Sequence, residues 1–316
     1  MRGNSFGNTF TITTFGESHG VALGVIVDGI PAGLPFDGKE LQAELDRRRP
    51  GRLKVGTSRN EADQFEILSG IFEDKTLGTP ITVSVRNTNQ RSKDYKELKD
   101  KGNYRPGHAD QTTMDKFGHR DHRGGGRSSG RETLARVIGG YFAGLILPKD
   151  ITFSARITKI SGLDPNASAE ETEAYLLNLK KIGESAGGVV ELTINNCPSG
   201  LGEPVFDKLK ADLSKAMVSI GSCMGVTFGL GVEFANLLGS EISTEQGNFG
   251  GIEGGISNGE AIRAQLYFKA PSTIGEKATA GRHDPCILPR VLPVVESMAK
   301  ITICDHYLRQ NSFQLK

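Results

Sequence analysis

The chain has 316 residues, 37% hydrophobic and 24% charged, with a formal net charge of +1, a balance that gives no global pull toward nucleic acid or a membrane surface. No apolar run reaches the ~18 residues of a membrane span, and the stretch MRGNSFGNTFTITTFGESHG lacks the apolar core of a secretory signal, so a cytoplasmic protein is expected. Any electrostatic function must come from local clusters.

The first expected element is a strand in TFTITTF, where β-branched and aromatic residues recur over a strand length. A helix is expected from Asp37, because Asp37 and Glu40 have capping-box spacing, Leu41 and Leu45 fall four apart, and Pro50 and Gly51 end the run. ITVSV from Ile81 reads as a strand. Another helix should begin near Gly130, with Ser129 and Glu132 as an S-x-x-E box and Leu134, Val137, Ile138, Tyr141, Phe142 and Leu145 on one face. Helices are further predicted over 170–182, 206–220 and 293–308, and strands in VVELTI from Val189 and AIRAQLYF from Ala261. There is no regular βαβ alternation.

An internal echo carries more information than any single element. GESHGVALGVIVDGIPAGLPFDGKELQAEL from Gly16 resembles GESAGGVVELTINNCPSGLGEPVFDKLKADL from Gly183 in the order of turn, strand, Pro-x-Gly-Leu turn, Phe-Asp and helix. Two related halves are expected. Where the first copy has His19 the second has Ala186, so the turn itself needs no imidazole, and Ala186→His is expected to do little. The long polar stretch from Asn87 to Asp110 reads as an exposed excursion rather than a linker, which leaves one domain over 1–316.

Cys197, Cys223, Cys286 and Cys304 show neither CxxC spacing nor a zinc pattern, so free buried thiols and no metal are expected. Positive charge gathers in two places. In RGGGRSSGR the glycines admit a ligand to the backbone before a helix start whose amides are free, and Arg127 and Arg131 suit carboxylate or phosphate oxygens; the alternative is ion pairing to Asp121 or Glu132. In DRRRPGRLK the cations at a helix end suit the helix itself. His108 in RPGHAD, and His283 and Asp284 beside Arg282 in GRHDPC, are candidates for proton transfer or equally for turn residues. GLGVEF from Gly229 has Phe234 where a dinucleotide fingerprint needs its third glycine.

TTFGESHG, DRRRPG, RPGHAD, DHRGGGRSSGRET, GGISNGE and GRHDPCILPRVLPVVESM together resemble the chorismate synthase family, in that family's order, from residue 9 to about 310. The resemblance implies an α+β fold with helices layered between antiparallel β-sheets in two pseudo-twofold halves. It also implies a carbon–oxygen lyase of the shikimate pathway, in aromatic amino acid biosynthesis, that converts 5-enolpyruvylshikimate 3-phosphate to chorismate and phosphate by anti 1,4-elimination, with reduced FMN and no net oxidation. By the same resemblance Arg48, Lys54, Arg131 and Arg282 contact substrate anions. His19 assists the departing phosphate, His108 serves the reduced flavin, Ser18 and Ser129 relay protons, and Asp284 helps remove the ring proton. Flavin contacts carry over to Arg127, Ser128, Ser129, Gly221, Ser222, Gly254, Lys269, Ala270, Pro271, Ser272, Thr273 and Arg282. A homotetramer is implied, supplied with reduced flavin by a separate reductase or reducing system, with NADP as the associated nucleotide.

The chain departs from the family pattern in KAPST, in the short segment between it and GRHDPC, in Lys54 where arginine is usual, in SIGSCMG and at Gly130. A lyase acting on another phosphorylated substrate is the alternative enzyme. An RNA-binding module built on RGGGR is disfavoured by the absence of tryptophan and the +1 charge.

Overall fold

The computed structural model describes residues 3–49, 62–87, 104–242, 247–276 and 284–313. In the first half β1 (Ser5–Phe6), β2 (Thr11–Phe15) and β3 (Ala22–Asp28) lead into α1 (Gly38–Arg48); β4 (Phe65–Ser69), the small pair β5 (Ile71–Phe72) and β6 (Lys75–Thr76), and β7 (Ile81–Arg86) follow, then α2 (Asp110–Phe117) and α3 (Thr133–Ile146). The second half runs β8 (Thr152–Ile160), α4 (Ala169–Ile182), β9 (Gly188–Asn195), α5 (Leu209–Val218), β10 (Cys223–Phe228), the hairpin β11 (Ile252–Glu253) and β12 (Ile256–Ser257), β13 (Ile262–Phe268) and α6 (Leu288–Asn311).

One sheet has the order β1-β2-β3-β7-β4 and the other β10-β13-β9-β8, antiparallel throughout. Without β1, the two read β2-β3-β7-β4 and β8-β9-β13-β10, the same order built from the same succession of strands, which is the structural counterpart of the echo between the two GES turns; α4, between β8 and β9, is an addition of the second half. Alternation decides which face is covered. In β7 Ile81, Val83 and Val85 are buried while Thr82 and Ser84 are not, and in β13 Ile262, Ala264, Leu266 and Phe268 are buried. α3 packs on the first sheet, α6 on the second, and α3 and α6 pack on each other. The helices thus fill the space between two half-buried sheets.

The crossing of α3 and α6 is close. A Cβ on Gly140 would lie 2.6 Å from Ser297 Cα, nearer than packed carbons come, so Gly140→Ala must push the helices apart. The variant is expected to lose about 1–3 kcal/mol, seen as a lower midpoint in denaturant unfolding.

Two expected helix starts move, and one expected cap changes. α5 begins at Leu209 and not at residue 206, because Phe206 is 89% exposed and the preceding turn is closed by Glu203 N donating to Asp207 O. α6 begins at Leu288, five residues before Pro293, with Pro289 in its first turn and Pro293 inside the helix; burial of Leu288 and Val291 offsets the hydrogen bond that Pro293 cannot donate. At α1 Asp37 caps Lys39 N at 2.7 Å, whereas the reciprocal box forms at α4 between Ser168 and Glu171. The four cysteines are free and buried; burial pushes Cys197 up to about 12 and Cys286 up to about 11, so neither is a thiolate at neutral pH. Among the described residues no helix is long and apolar enough to cross a membrane.

Candidate active site

The RGGGR stretch does not enter α3 as a simply capped helix. Gly126–Ser128 and Gly130–Glu132 form two short 3-10 turns ahead of Thr133. The amides of Ser128, Ser129 and Glu132 therefore donate to backbone carbonyls, and Arg131 N donates to Ser129 Oγ at 3.3 Å. Four amides of the expected cradle are thus already taken. Nor does the Ser129–Glu132 box form, because Glu132 accepts instead from Arg136 at 2.8 Å and Thr14 at 3.1 Å. A set of side chains is also available to an anion.

Two of these meet on a carboxylate that no motif announced. Arg48, at the end of α1, and Arg131 each donate to Asp63 at 2.8 Å, and all three side chains are buried. Burial is the largest influence on Arg48 and lowers it to about 10, with Asp63 opposing and the nearby Arg290 and Arg131 reinforcing. For Asp63 burial acts upward, but Arg48 and Arg131 override it and hold the carboxyl below its ordinary range. Among the described residues Arg48 Nε has no hydrogen-bond partner, and it is buried, a donor that an incoming anion would satisfy. Asp63 sits at φ 45°, a left-handed conformation that aspartate tolerates. The available signal for it was charge, since two buried guanidinium groups call for a counter-anion.

Asn87, also missed, joins this group to the first GES turn. Its Oδ1 accepts from Arg131 Nε at 2.6 Å while its Nδ2 donates to Glu17 O at 3.1 Å and Gly20 O at 2.8 Å. In that turn Ser18 Oγ and His19 Nδ1 are 3.0 Å apart and both residues are buried. Gly124 lies directly against the imidazole: a Cβ there would stand 2.6 Å from His19 Cε1 and 3.2 Å from Ser18 Oγ. Gly124→Ala is expected to displace His19 and lower kcat by at least tenfold, within the range for a misplaced acid or base, while the far-UV circular dichroism stays that of the wild type.

The RPGHAD turn is closed by Arg105, whose Nε and Nη2 donate to Asp110 at 2.8 and 2.7 Å and whose amide donates at 3.0 Å. Burial acts upward on Asp110, but these hydrogen bonds hold it below the usual carboxylate range. His108 Nδ1 is 2.9 Å from Pro106 O. A carbonyl only accepts, so this contact places a proton on Nδ1 and, in the neutral ring, leaves Nε2 as the proton acceptor. Nε2 faces Thr273 Oγ1 at 3.3 Å. Beside it Ser272 Oγ donates to Gly107 O at 2.9 Å and accepts from Lys269 Nζ at 2.6 Å. Lys269 N donates to Ser222 O at 2.9 Å, which brings the Gly221 and Ser222 turn alongside.

Asp284 pairs with Arg290, and Arg290 Nε donates to Arg48 O at 3.4 Å. Pro285 O accepts from Ala186 N at 2.8 Å, and Ser185 Oγ donates to Pro271 O at 2.7 Å. A continuous run of contacts and chain neighbours thereby leads from His19 through Asn87, Arg131, Asp63, Arg48, Arg290 and Asp284 to the 269–273 loop and His108. Ala186 is 3% exposed, so the expectation that a histidine would be tolerated there fails on packing grounds.

Other expected residues lie beside this run or away from it. Arg127 spends its guanidinium on Gly16 O at 3.0 Å, Thr14 O at 3.1 Å, the Thr14 hydroxyl and Asn4 Oδ1, bracing the first turn against β2. Ser128 is exposed and Ser129 half-buried beside Arg131; Ala270 is half-buried within the loop. Gly254, at the tip of the β11–β12 hairpin, gives its carbonyl to Lys208 Nζ at 3.1 Å, near the start of α5. Lys54 and Arg282 lie outside the described residues, as does His283. Arg123 pairs with Asp121 at 2.7 Å, as the alternative for the first basic cluster expected; Arg47 lies in the last turn of α1, where a cation suits the helix, and pairs there with Glu44 and Glu296 at 2.9 and 2.7 Å.

A sequence profile of the family described as chorismate synthase matches residues 10–308. A Christiangramia forsetii protein named chorismate synthase is 44% identical over 357 aligned positions, covering 100% of both chains, and one from Bdellovibrio bacteriovorus is 45% identical with 98% of each covered. A crystal structure described as that of chorismate synthase matches with TM-score 0.76 at 29% identity, over 96% of this chain and 93% of that one.

Proposed function

Because this chain belongs to the chorismate synthase family, its reaction is the loss of phosphate from 5-enolpyruvylshikimate 3-phosphate to give chorismate, and we propose that the run of side chains from His19 to His108 is where that elimination occurs. The observation that carries this reading is the pair Arg48 and Arg131, buried and fixed on Asp63, with a buried Arg48 Nε that has no partner among the described residues. One carboxylate against two guanidinium groups leaves a net positive charge in a site that excludes water, which suits a substrate bearing two carboxylates and a phosphate.

The reaction is balanced without an external oxidant: a ring C–H electron pair forms a new double bond, the existing ring double bond shifts along the ring, and phosphate leaves with the C–O pair. Arg48 and Arg131 hold the anionic groups, joined by Lys54 and Arg282. His19, with Ser18 on its Nδ1, delivers a proton to the departing phosphate, and Ser129 completes the relay beside Arg131. Asp284, held by Arg290, takes the ring proton.

The donors gathered around the 269–273 loop fit an anionic flavin: a lysine ammonium, two hydroxyls, an imidazole and the Gly221–Ser222 turn stand together. Lys269, Ala270, Pro271, Ser272, Thr273, Gly221 and Ser222 would hold it from this side, with Arg127, Ser128, Ser129, Gly254 and Arg282 as the wider contacts. Reduced FMN, when bound, supplies electron density to the substrate as phosphate departs. His108 holds a proton on Nδ1 and presents Nε2 to that group. By the same family reading the chain works as one domain in a cytoplasmic homotetramer, with reduced flavin supplied by a separate reductase.

The test is anaerobic. Protein with reduced FMN and 5-enolpyruvylshikimate 3-phosphate should release chorismate and phosphate in equal amounts, and oxidised FMN alone should support no turnover. Phosphate release without chorismate would overturn the assignment.

A further inference from the structure

The two GES turns occupy equivalent places in the two halves but have been given different work. In the first, Ser18 Oγ lies 3.0 Å from His19 Nδ1. In the second there is no imidazole, and the serine hydroxyl instead leaves its own turn: Ser185 Oγ donates to Pro271 O at 2.7 Å. Four residues further along the same loop Gly275 N donates to Gly183 O at 2.7 Å. The 269–275 loop is therefore pinned at two points to residues 183–185. Between the pins stand Ser272 and Thr273, the two residues that cross to the RPGHAD turn and meet Gly107 O and His108 Nε2. The neighbouring Ala186 N holds Pro285 O at 2.8 Å, one residue from Asp284.

We infer that Ser185 is a positioning residue: through Pro271 it fixes the loop that carries Lys269, Ser272 and Thr273 against His108, so that the second GES turn serves as the anchor of the flavin side while the first carries chemistry. The inference rests on the flavin reading of that loop given above. A hydroxyl-to-carbonyl hydrogen bond at 2.7 Å restrains the loop without touching Arg48, Asp63 or Arg131, so its loss separates the two ligands. Removal of one such bond corresponds to an affinity change of up to about tenfold.

Three measurements on the full-length Ser185→Ala and Ser185→Thr variants test this. Hydrogen–deuterium exchange at the amides of residues 269–275, without any ligand, should speed up in Ser185→Ala and return toward wild type in Ser185→Thr, which keeps the hydroxyl. Anaerobic titration with reduced FMN should give a Kd raised about tenfold in Ser185→Ala, restored by threonine. Titration with 5-enolpyruvylshikimate 3-phosphate should give a Kd within twofold of wild type. Unchanged exchange and flavin affinity in Ser185→Ala would overturn the inference, as would an equal loss of affinity for both ligands, which is the mark of general destabilisation. If wild-type protein failed to bind reduced FMN while exchange still responded to Ser185→Ala, the anchoring would stand and the flavin reading of the loop would fall.

Discussion

Asp63→Asn is expected to lower stability by about 3–5 kcal/mol, the magnitude for removing one partner of a buried ion pair, because it leaves Arg48 and Arg131 both buried with their shared carboxylate gone. Burial and the charges of Arg290 and Arg131, which already lower Arg48 to about 10, would then act unopposed by Asp63. The pH dependence gives the test its sign. Asp63 is held below the ordinary carboxylate range when folded, so the wild-type protein binds fewer protons at that group than the unfolded chain does. The stabilisation is complete above the unfolded value of about 4 and is lost as pH falls through the lower folded value. Thermal unfolding of the wild type should therefore weaken on acidification below about pH 4, and the asparagine variant should lack that component and start from a lower midpoint at neutral pH. Equal stability of the two proteins at pH 7 would show that Asp63 does not hold the arginines in solution.

His108→Ala is expected to slow turnover by roughly 10² to 10⁴, the contribution of a positioned acid or base, while leaving the fold intact. The side chain is half-buried on a turn whose closure depends on Arg105 and Asp110 rather than on the imidazole. The ring is held at both ends, by Pro106 O on Nδ1 and by Thr273 Oγ1 on Nε2. Thr273→Val makes a useful companion, since it removes the contact on Nε2 and keeps the ring; a smaller loss in kcat than for His108→Ala is the expected order. Wild-type turnover by His108→Ala, measured as phosphate release under anaerobic conditions, would remove this imidazole from the reaction.

The division of labour between the GES turns explains why some of the site could be read in advance. His19 stood out because its counterpart is Ala186 in an otherwise similar turn, a comparison internal to the chain. Arg131 and Arg48 were visible as charges in a chain of near-zero net charge. Asp63 and Asn87 were not, since each is a polar residue at the edge of a strand, and their roles arise only from partners elsewhere: Arg131 meets Asp63 across 68 residues of sequence and Asn87 across 44. Ser185 was quoted in the repeat without a role for the same reason, because Pro271 lies 86 residues away.

Sequence by itself determined most of the strands and the doubling of the fold, because side-chain alternation and the order of turns are short-range properties that survive in the linear chain, whereas the antiparallel pairing was implied only by the family resemblance. It determined too, through its motifs, the family to which the chain belongs. Only the tertiary structure decided which charges neutralise one another. The amides of Ser128, Ser129 and Glu132, expected to receive an anion, were taken by 3-10 turns, Arg127 was spent largely on backbone carbonyls, and a buried carboxylate took two arginines. Such choices depend on desolvation and on which distant groups folding brings within hydrogen-bond reach, and neither is written in local spacing.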